Sequence, residues 1–154
     1  MSMADHSRHT PQEVAEAVGR GMYERDHCAH GHGIELLAIA PGFARMGMTV
    51  RKDMVNGHNS LHGGMTFTLA DTAFAYACNA GNEATVASSC HISYPAPGRL
   101  GDTLTAECRE VHRQGRNGVY DCIVTNQDGV TVGIFRGMSA TVKGAVVALP
   151  EGTP

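Results

Sequence analysis

Hydrophobic and polar positions follow a helical period at the start of this chain. Val14, Val18 and Met22 recur at every fourth residue, so one face of this segment is apolar and the rest is polar. Pro11 suits the first turn of a helix, because the N–H that proline lacks would have no partner there. The pattern predicts a short amphipathic helix near residues 11–25, lying on the outside of the fold.

Two apolar runs come next, IELLAI and FARMGMTV, separated by Pro41-Gly42. The proline–glycine pair is typical of a turn, and both runs are short and bounded by such signals. We therefore expect a pair of strands.

Later in the chain the period changes to two. The segments ATVASSCHISY, DTLTAECREVH, VYDCIVTN and VTVGIFRGMSATV are typical of strands. Asn117-Gly118 and Asp128-Gly129 are dipeptides that favour two-residue hairpin turns. Together these signals predict a four-stranded antiparallel meander in the second half of the chain.

Between the two strand regions, GGMTFTLADTAFAYAC reads as a long helix with apolar or small residues on nearly every face. Such a helix has to be covered on all sides. The sequence therefore predicts an α+β fold in which a curved antiparallel β-sheet wraps around one long central α-helix. A sheet of this kind leaves edge strands, which often pair with a second copy of the chain.

Size and charge narrow the class of protein. The 154 residues fit one domain, 1–154, with about ten N-terminal and about eight C-terminal residues loosely held. A net charge of −3 argues against a nucleic-acid partner.

No run approaches the ~20 apolar residues of a membrane span, and the polar N-terminus is unlike a signal peptide. The five cysteines include no C-x-x-C pair, so we expect reduced thiols in a cytoplasmic protein.

One carboxylate, Asp71, stands in the middle of the apolar helix. Buried acids without a partner are costly and uncommon, so Asp71 is a candidate functional group. The alternative is a purely structural acid that is hydrogen-bonded to Thr68 or Thr72.

The helix begins at Gly63-Gly64, although glycine is a poor helix former. The first N–H groups of a helix lack internal partners and lie at the positive end of its dipole. Two glycines leave these donors uncovered, which makes a place to bind a carbonyl oxygen and stabilise its developing charge. Asp71 lies eight positions further on, roughly 12 Å along the axis. One helix does not easily supply both groups to one carbonyl, whereas two antiparallel copies in a symmetric dimer do.

The segment NGHNSLHGGMTFTLADTAFAYAC, from Asn56 to Cys78, resembles the hotdog-fold acyl-CoA thioesterases of the PaaI type, from phenylacetic acid degradation. The likeness extends to MYERDHCA, VASSCHISYPAPGRLGDTLTA, GVYDCIVTNQDG and FRGMSA, between Met22 and Val142. The resemblance implies a homodimer with active sites at its interface, often assembled into a homotetramer. It also implies hydrolysis of phenylacetyl-CoA, or of ring-hydroxylated relatives, to the free acid and CoA.

When the functional residues of this family are placed on the matching positions of this sequence, the resemblance implies that Asp71 is the catalytic carboxylate. It would act either as nucleophile or as general base towards water. Gly63, with Gly64 beside it, would present the backbone N–H that polarises the thioester carbonyl. Asn56 would orient the thioester or the attacking water, and His62 would shape the turn and contact the carbonyl end. We expect no metal or other cofactor, because CoA is part of the substrate and thiolate is a good leaving group.

A small basic rim surrounds the Asn117-Gly118 dipeptide, with His112, Arg113 and Arg116 close by in the sequence. Guanidinium groups bind phosphate well, so Arg113, Arg116 and Asn117 are candidates for binding the CoA moiety. The alternative is a solvated hairpin tip, since single surface arginines are ordinary.

Two other functions stay open at this point. A hotdog hydratase or dehydratase would need a histidine base near an acid, and His62 is the candidate. A non-catalytic acyl-CoA-binding module would tolerate asparagine or alanine at position 71. A zinc site at His58 and His62 is disfavoured, because the H-E-x-x-H motif needs a glutamate where Asn59 stands.

Overall fold

The computed structural model describes residues 8–149. Within that range helices lie at Pro11–Arg25 (α1), His27–Gly31 (α2) and Gly63–Asn79 (α3), with a 3-10 turn at Lys52–Met54. The strands are Glu35–Ala40 (β1), Phe43–Thr49 (β2), Glu83–Ser93 (β3), Thr103–Gln114 (β4), Asn117–Thr125 (β5) and Thr131–Ala145 (β6). The amphipathic helix and the strand pair predicted for the first third of the chain are confirmed.

The six strands form one antiparallel sheet in the order β1-β2-β4-β5-β6-β3. Helix α3 packs against all six strands of this sheet. The predicted α+β architecture, a curved antiparallel sheet around a long central helix, is confirmed.

The predicted four-stranded meander is wrong for its first strand. Strands β4, β5 and β6 are consecutive neighbours, but β3 pairs with β6 and forms the edge of the sheet. Strand β4 pairs on its other side with β2. Alternation along a strand reports which face is buried and not which strand lies beside it, so the local pattern did not contain this pairing.

The hairpin between β4 and β5 turns two residues earlier than predicted. Gln114 pairs with Asn117, so Gly115 and Arg116 form the loop. Gly115 has a φ of +59°, a left-handed conformation that favours glycine. Asn117 and Gly118 belong to β5 instead.

The connection between β5 and β6 is longer than the predicted two-residue turn and takes in residues 126–130. The Asn126 side chain accepts hydrogen bonds from the N–H groups of Asp128 and Val130, both at 3.0 Å. Gly129 has a φ of +77°. The dipeptide signal therefore located this turn but not its length.

The core lies between α3 and the face of the sheet that it covers. The Phe74 ring packs against Tyr120, with centroids 5.5 Å apart, and against Phe135 at 5.7 Å. All three side chains are buried. Burying each large apolar side chain contributes about 1.5–3 kcal/mol, so these rings fix the position of the helix against the sheet.

One stripe of α3 is open, contrary to the expectation that the helix is covered on all sides. Gly64, Thr68, Asp71, Thr72 and Ala75 are half-buried or exposed. They recur three or four residues apart and so lie on one side of the helix. The fold of a single chain therefore leaves open the side of α3 that carries the carboxylate.

Helix α3 is also tied to the junction between α1 and α2. The Tyr76 hydroxyl donates to Asp26 Oδ2 at 3.1 Å, and Asp26 Oδ1 accepts from the Ala29 N–H at 2.9 Å. One carboxylate thus caps α2 and anchors the central helix.

None of the helices within residues 8–149 has the length and apolar character needed to cross a membrane. All five cysteines lie in that range and are free thiols. Cys78, Cys108 and Cys122 are buried core residues, Cys28 is exposed, and Cys90 is half-buried.

Candidate active site

The N-terminus of α3 is built by His62, Gly63 and Gly64. His62 is the N-cap residue, and its ring Nδ1 accepts a hydrogen bond from the Gly64 N–H at 2.9 Å. In the neutral ring the proton therefore lies on Nε2. No acceptor within the described residues bonds the Gly63 N–H. The pair of donors expected from the sequence is thus reduced to one, because Gly64 is already bonded to His62.

The ring of Tyr94 covers one side of this helix end. Its hydroxyl donates to the Gly63 carbonyl oxygen at 2.9 Å. A Cβ atom added at residue 63 would lie 3.1 Å from Tyr94 Cζ. Glycine at this position therefore permits a close approach between the ring and the helix backbone.

Asn56 lies in the loop that leads into α3. Its Oδ1 accepts hydrogen bonds from the N–H groups of His58 at 2.9 Å and Ser60 at 3.2 Å. These bonds fix the side chain and identify which of its terminal atoms is the oxygen. The Asn56 amide nitrogen has no acceptor among residues 8–149, so it is available to a ligand.

Asp71 lies on the open stripe of α3 and faces β3, where its Oδ1 is 4.0 Å from Cys90 Sγ. The Thr68 and Thr72 hydroxyls donate instead to the helix carbonyls of Gly64 and Thr68. The alternative of a structural acid held by these threonines is therefore wrong.

The electrostatic setting of Asp71 is that of an acid partly removed from water. Burial raises the pKa of its carboxyl group, because desolvation disfavours the charged form. In the part of the chain that the structure describes, no cationic side chain pairs with it. A carboxylate in this setting is a stronger base than one in water.

Asp71 and Gly63 of one chain lie eight positions apart on the same helix, roughly 12 Å along its axis. A single protomer therefore does not bring both to one carbonyl. Strand β3, which Asp71 faces, is the last strand of the sheet and has no neighbour on its outer side among residues 8–149. The carboxylate thus lies beside a sheet edge at which a second copy has room to join.

The residues predicted to bind CoA lie on the hairpin between β4 and β5. Arg113 forms an ion pair with Glu83. Arg116 Nε donates to the Thr141 carbonyl at 3.0 Å, and this guanidinium has no acidic partner among the described residues. Asn117 lines a surface cleft beside the hairpin. These three residues therefore lie together on one hairpin, but the ion pair with Glu83 neutralises the charge of Arg113.

Two side chains at the site, Tyr94 and Cys90, were not predicted from the sequence. Side chains alternate between the two faces of a strand, so Cys90 and Ile92 lie on the same face of β3, the one turned towards α3. This alternation was the only sign in the sequence that Cys90 could lie at the site. Their contacts depend on how β3 pairs and where it ends, which local patterns do not encode.

The sequence of this chain is similar to those of known thioesterases. The family model described as the Thioesterase superfamily matches residues 58–133. The acyl-coenzyme A thioesterase PaaI of Escherichia coli strain K12 is 50% identical over 125 residues, which are 81% of this chain and 89% of that protein.

Solved structures agree with the sequence comparison. The E. coli PaaI protein from the phenylacetic acid degradation operon matches with a TM-score of 0.87 and 46% identity, covering 88% of this chain and 99% of that one. A protein of Streptococcus mutans UA159, solved with bound acetyl-CoA, matches with a TM-score of 0.70 and 26% identity, covering 73% and 90%.

Proposed function

This chain belongs to the PaaI-type acyl-CoA thioesterases, and on that premise we propose that it hydrolyses phenylacetyl-CoA and related aromatic acyl-CoA thioesters. The products are the free acid and CoA. The aromatic acyl group is supported by the similarity to the protein of the E. coli phenylacetic acid degradation operon. The observation that carries the chemistry is Asp71, a carboxylate on the open stripe of α3 whose pKa is raised by burial.

The thioester carbonyl binds at the N-terminus of α3. Its oxygen accepts a hydrogen bond from the Gly63 N–H, which lacks an acceptor among the described residues. The positive end of the helix dipole stabilises the negative charge that develops on this oxygen during attack. Two further donors come from the segment at the start of α3: the Nε2–H of the N-cap residue His62, and the amide N–H₂ of Asn56, which has no acceptor among residues 8–149.

Asp71 drives attack on the carbonyl carbon by one of two routes. As a nucleophile it forms an acyl-aspartyl anhydride, expels the CoA thiolate, and is released when water hydrolyses the anhydride. As a general base it takes a proton from water, and the resulting hydroxide attacks the carbon and expels the thiolate. Both routes place the carboxylate within about 3 Å of the carbon or of the water.

The two halves of the site come from different subunits of a homodimer, and two such dimers form the predicted homotetramer. The spacing of Asp71 and Gly63 on one helix supports the shared site. So does the outer edge of β3, which pairs with no other strand among residues 8–149. When two β3 edges meet across a twofold axis, each Asp71 approaches the Gly63 of the other subunit, and the dimer has two equivalent sites.

The CoA moiety extends towards the hairpin between β4 and β5. Arg113 is paired with Glu83 at the start of β3, just beyond the C-terminal end of α3, so this hairpin is remote from Gly63 of its own chain. With antiparallel helices it lies near the N-terminus of the partner's α3. Arg116, which has no acidic partner in the described residues, is then placed to bind a CoA phosphate, with Asn117 beside it.

Release of free thiol from phenylacetyl-CoA, compared between the wild type and Asp71→Asn, tests the proposed function. We expect wild-type turnover and a fall in kcat of about a hundredfold or more in the variant, with binding retained. A hydratase would release no thiol from either protein. A non-catalytic binding module would bind the thioester without turnover in both, and either result would overturn the proposal.

Mixing two inactive variants tests whether the site is shared. Asp71→Asn and Gly63→Val, unfolded and refolded together, form mixed dimers in which one site has both intact residues. About a quarter of wild-type activity should return for random pairing. If each site lay within one subunit, no activity would return. A chain that carries both substitutions, mixed with Asp71→Asn, is the control and should stay inactive.

A further inference from the structure

Cys90 occupies a place at the site to which the proposed chemistry assigns no role. It lies on β3, paired with Gly137 of β6, and its side chain is turned towards α3. Its Sγ is 4.0 Å from Asp71 Oδ1. Within residues 8–149, Cys90 is the side chain that can donate a hydrogen bond to the Asp71 carboxylate. The hydroxyls of the neighbouring threonines donate to helix carbonyls instead.

We infer that Cys90 is a positioning residue, whose neutral thiol donates to the Asp71 carboxylate and holds it towards the open side of α3. This inference rests on the proposed role of Asp71. A carboxylate on a half-buried helix face otherwise has several staggered rotamers available. A donor on the facing strand selects one of them and favours the ionised form, which is the form that attacks or takes a proton.

The charges around this pair are compatible with that role. Burial, followed by the charge of Asp71, raises the pKa of the Cys90 thiol, so the thiol keeps its proton at neutral pH. Cys78, seven positions after Asp71 on α3, is also near, and burial raises its pKa to about 12. Among the described residues, Cys90 from β3 and Cys78 from α3 are the titratable groups whose pKa the charge of Asp71 raises, and both are uncharged at neutral pH.

Two substitutions of similar size distinguish a hydrogen-bond donor at position 90 from a side chain that only fills space. Cys90→Ser keeps a hydroxyl donor, which is stronger than a thiol, whereas Cys90→Val keeps water away but donates nothing. We expect the acidic limb of the kcat/KM–pH profile for phenylacetyl-CoA to move to lower pH in Cys90→Ser and to higher pH in Cys90→Val, by about half a pH unit each. Cys28→Ser, a substitution of an exposed cysteine, is the matched control and should leave the profile unchanged.

A direct titration keeps this inference separate from the proposed function. The carboxyl carbon-13 signal of Asp71, assigned by its loss in Asp71→Asn, reports the pKa of that group without any need for activity. The order expected for the pKa is Cys90→Ser below the wild type and Cys90→Val above it. Coincident titrations in all three proteins, with changes confined to the melting temperature, would show that Cys90 only fills space. If instead Asp71→Asn stayed active while the titrations differed, the proposed function would fail and the contact would stand.

Discussion

The hydroxyl of Tyr94 donates a hydrogen bond to the carbonyl oxygen of Gly63 at 2.9 Å, and its ring leaves too little space for a side chain at residue 63. Tyr94 directly follows β3, the strand that faces Asp71. The residue after the edge strand therefore shapes the helix end at which the thioester carbonyl is proposed to bind.

Gly63→Ala should lower kcat/KM for phenylacetyl-CoA by about tenfold to a hundredfold. The added Cβ would lie 3.1 Å from Tyr94 Cζ, so the ring must move, and small displacements at a reacting centre are costly. Steady-state kinetics checks this. Gly57→Ala is the matched control, because a Cβ at residue 57 meets nothing within 4 Å. Equal activity in the two variants would argue against a carbonyl site at Gly63.

Asp71→Asn should stabilise the fold at neutral pH, raising the melting temperature by about 2 °C. Burial raises the pKa of the Asp71 carboxyl above its ordinary value of 3.8, so the folded state binds this proton more tightly than the unfolded state does. The ionised acid therefore costs stability as the pH rises from about 3.8 through the raised pKa.

Thermal unfolding at a series of pH values measures this difference. The stability advantage of Asp71→Asn should be smallest near pH 4, grow as the pH rises, and level off once Asp71 is ionised in the folded protein. An advantage that shrinks with rising pH would mean that the carboxylate is stabilised in the folded protein, as by a cation across an interface.

Arg116→Ala should raise KM for acyl-CoA substrates several-fold, whereas Arg113→Ala should have a smaller effect. The Arg113 charge is already paired with Glu83, and Arg116 has no acidic partner among residues 8–149. Because attraction to phosphate is screened by salt, KM of the wild type should rise with ionic strength more steeply than KM of Arg116→Ala. The same salt dependence in both proteins would mean that Arg116 does not bind a CoA phosphate and belongs to a solvated hairpin tip.

Tyr76→Phe should destabilise the protein by about 1 kcal/mol without a change in kcat. The substitution removes the hydrogen bond from the Tyr76 hydroxyl to Asp26 Oδ2 and leaves the carboxylate oxygen without its partner. Denaturant unfolding and kinetics on the same samples check the two halves of this prediction. A fall in kcat with unchanged stability would mean that the α1–α2 junction contributes to the active site.

Much of the fold was contained in local patterns. The helical period before residue 26 and the alternation after residue 84 predicted their elements, and a helix apolar on nearly every side predicted a wrapped sheet. The position of β3 was not predicted, because antiparallel pairing depends on packing between segments far apart in the chain. The exact hairpin position was missed because Gly115-Arg116 and Asn117-Gly118 both suit a turn, and strand register chooses between them.

At the candidate site, the sequence identified the candidate catalytic residues but not all of the side chains that contact them. Asp71 stood out because a lone carboxylate in an apolar helix is unusual, and Gly63 because glycine begins that helix. That Gly64 is bonded to His62, and that Tyr94 covers Gly63, followed only from the positions of the side chains.

By itself the sequence determined the element types, the central helix and the carboxylate within it, because period and residue chemistry are local properties. Only the tertiary structure decided that one stripe of the helix stays open, that β3 is the edge strand beside it, and that Cys90 faces Asp71. These features depend on contacts between residues distant in sequence, whose formation is governed by burial of the whole core. The side of α3 that carries Asp71 is only half-buried, because β3 beside it is the last strand of the sheet within residues 8–149.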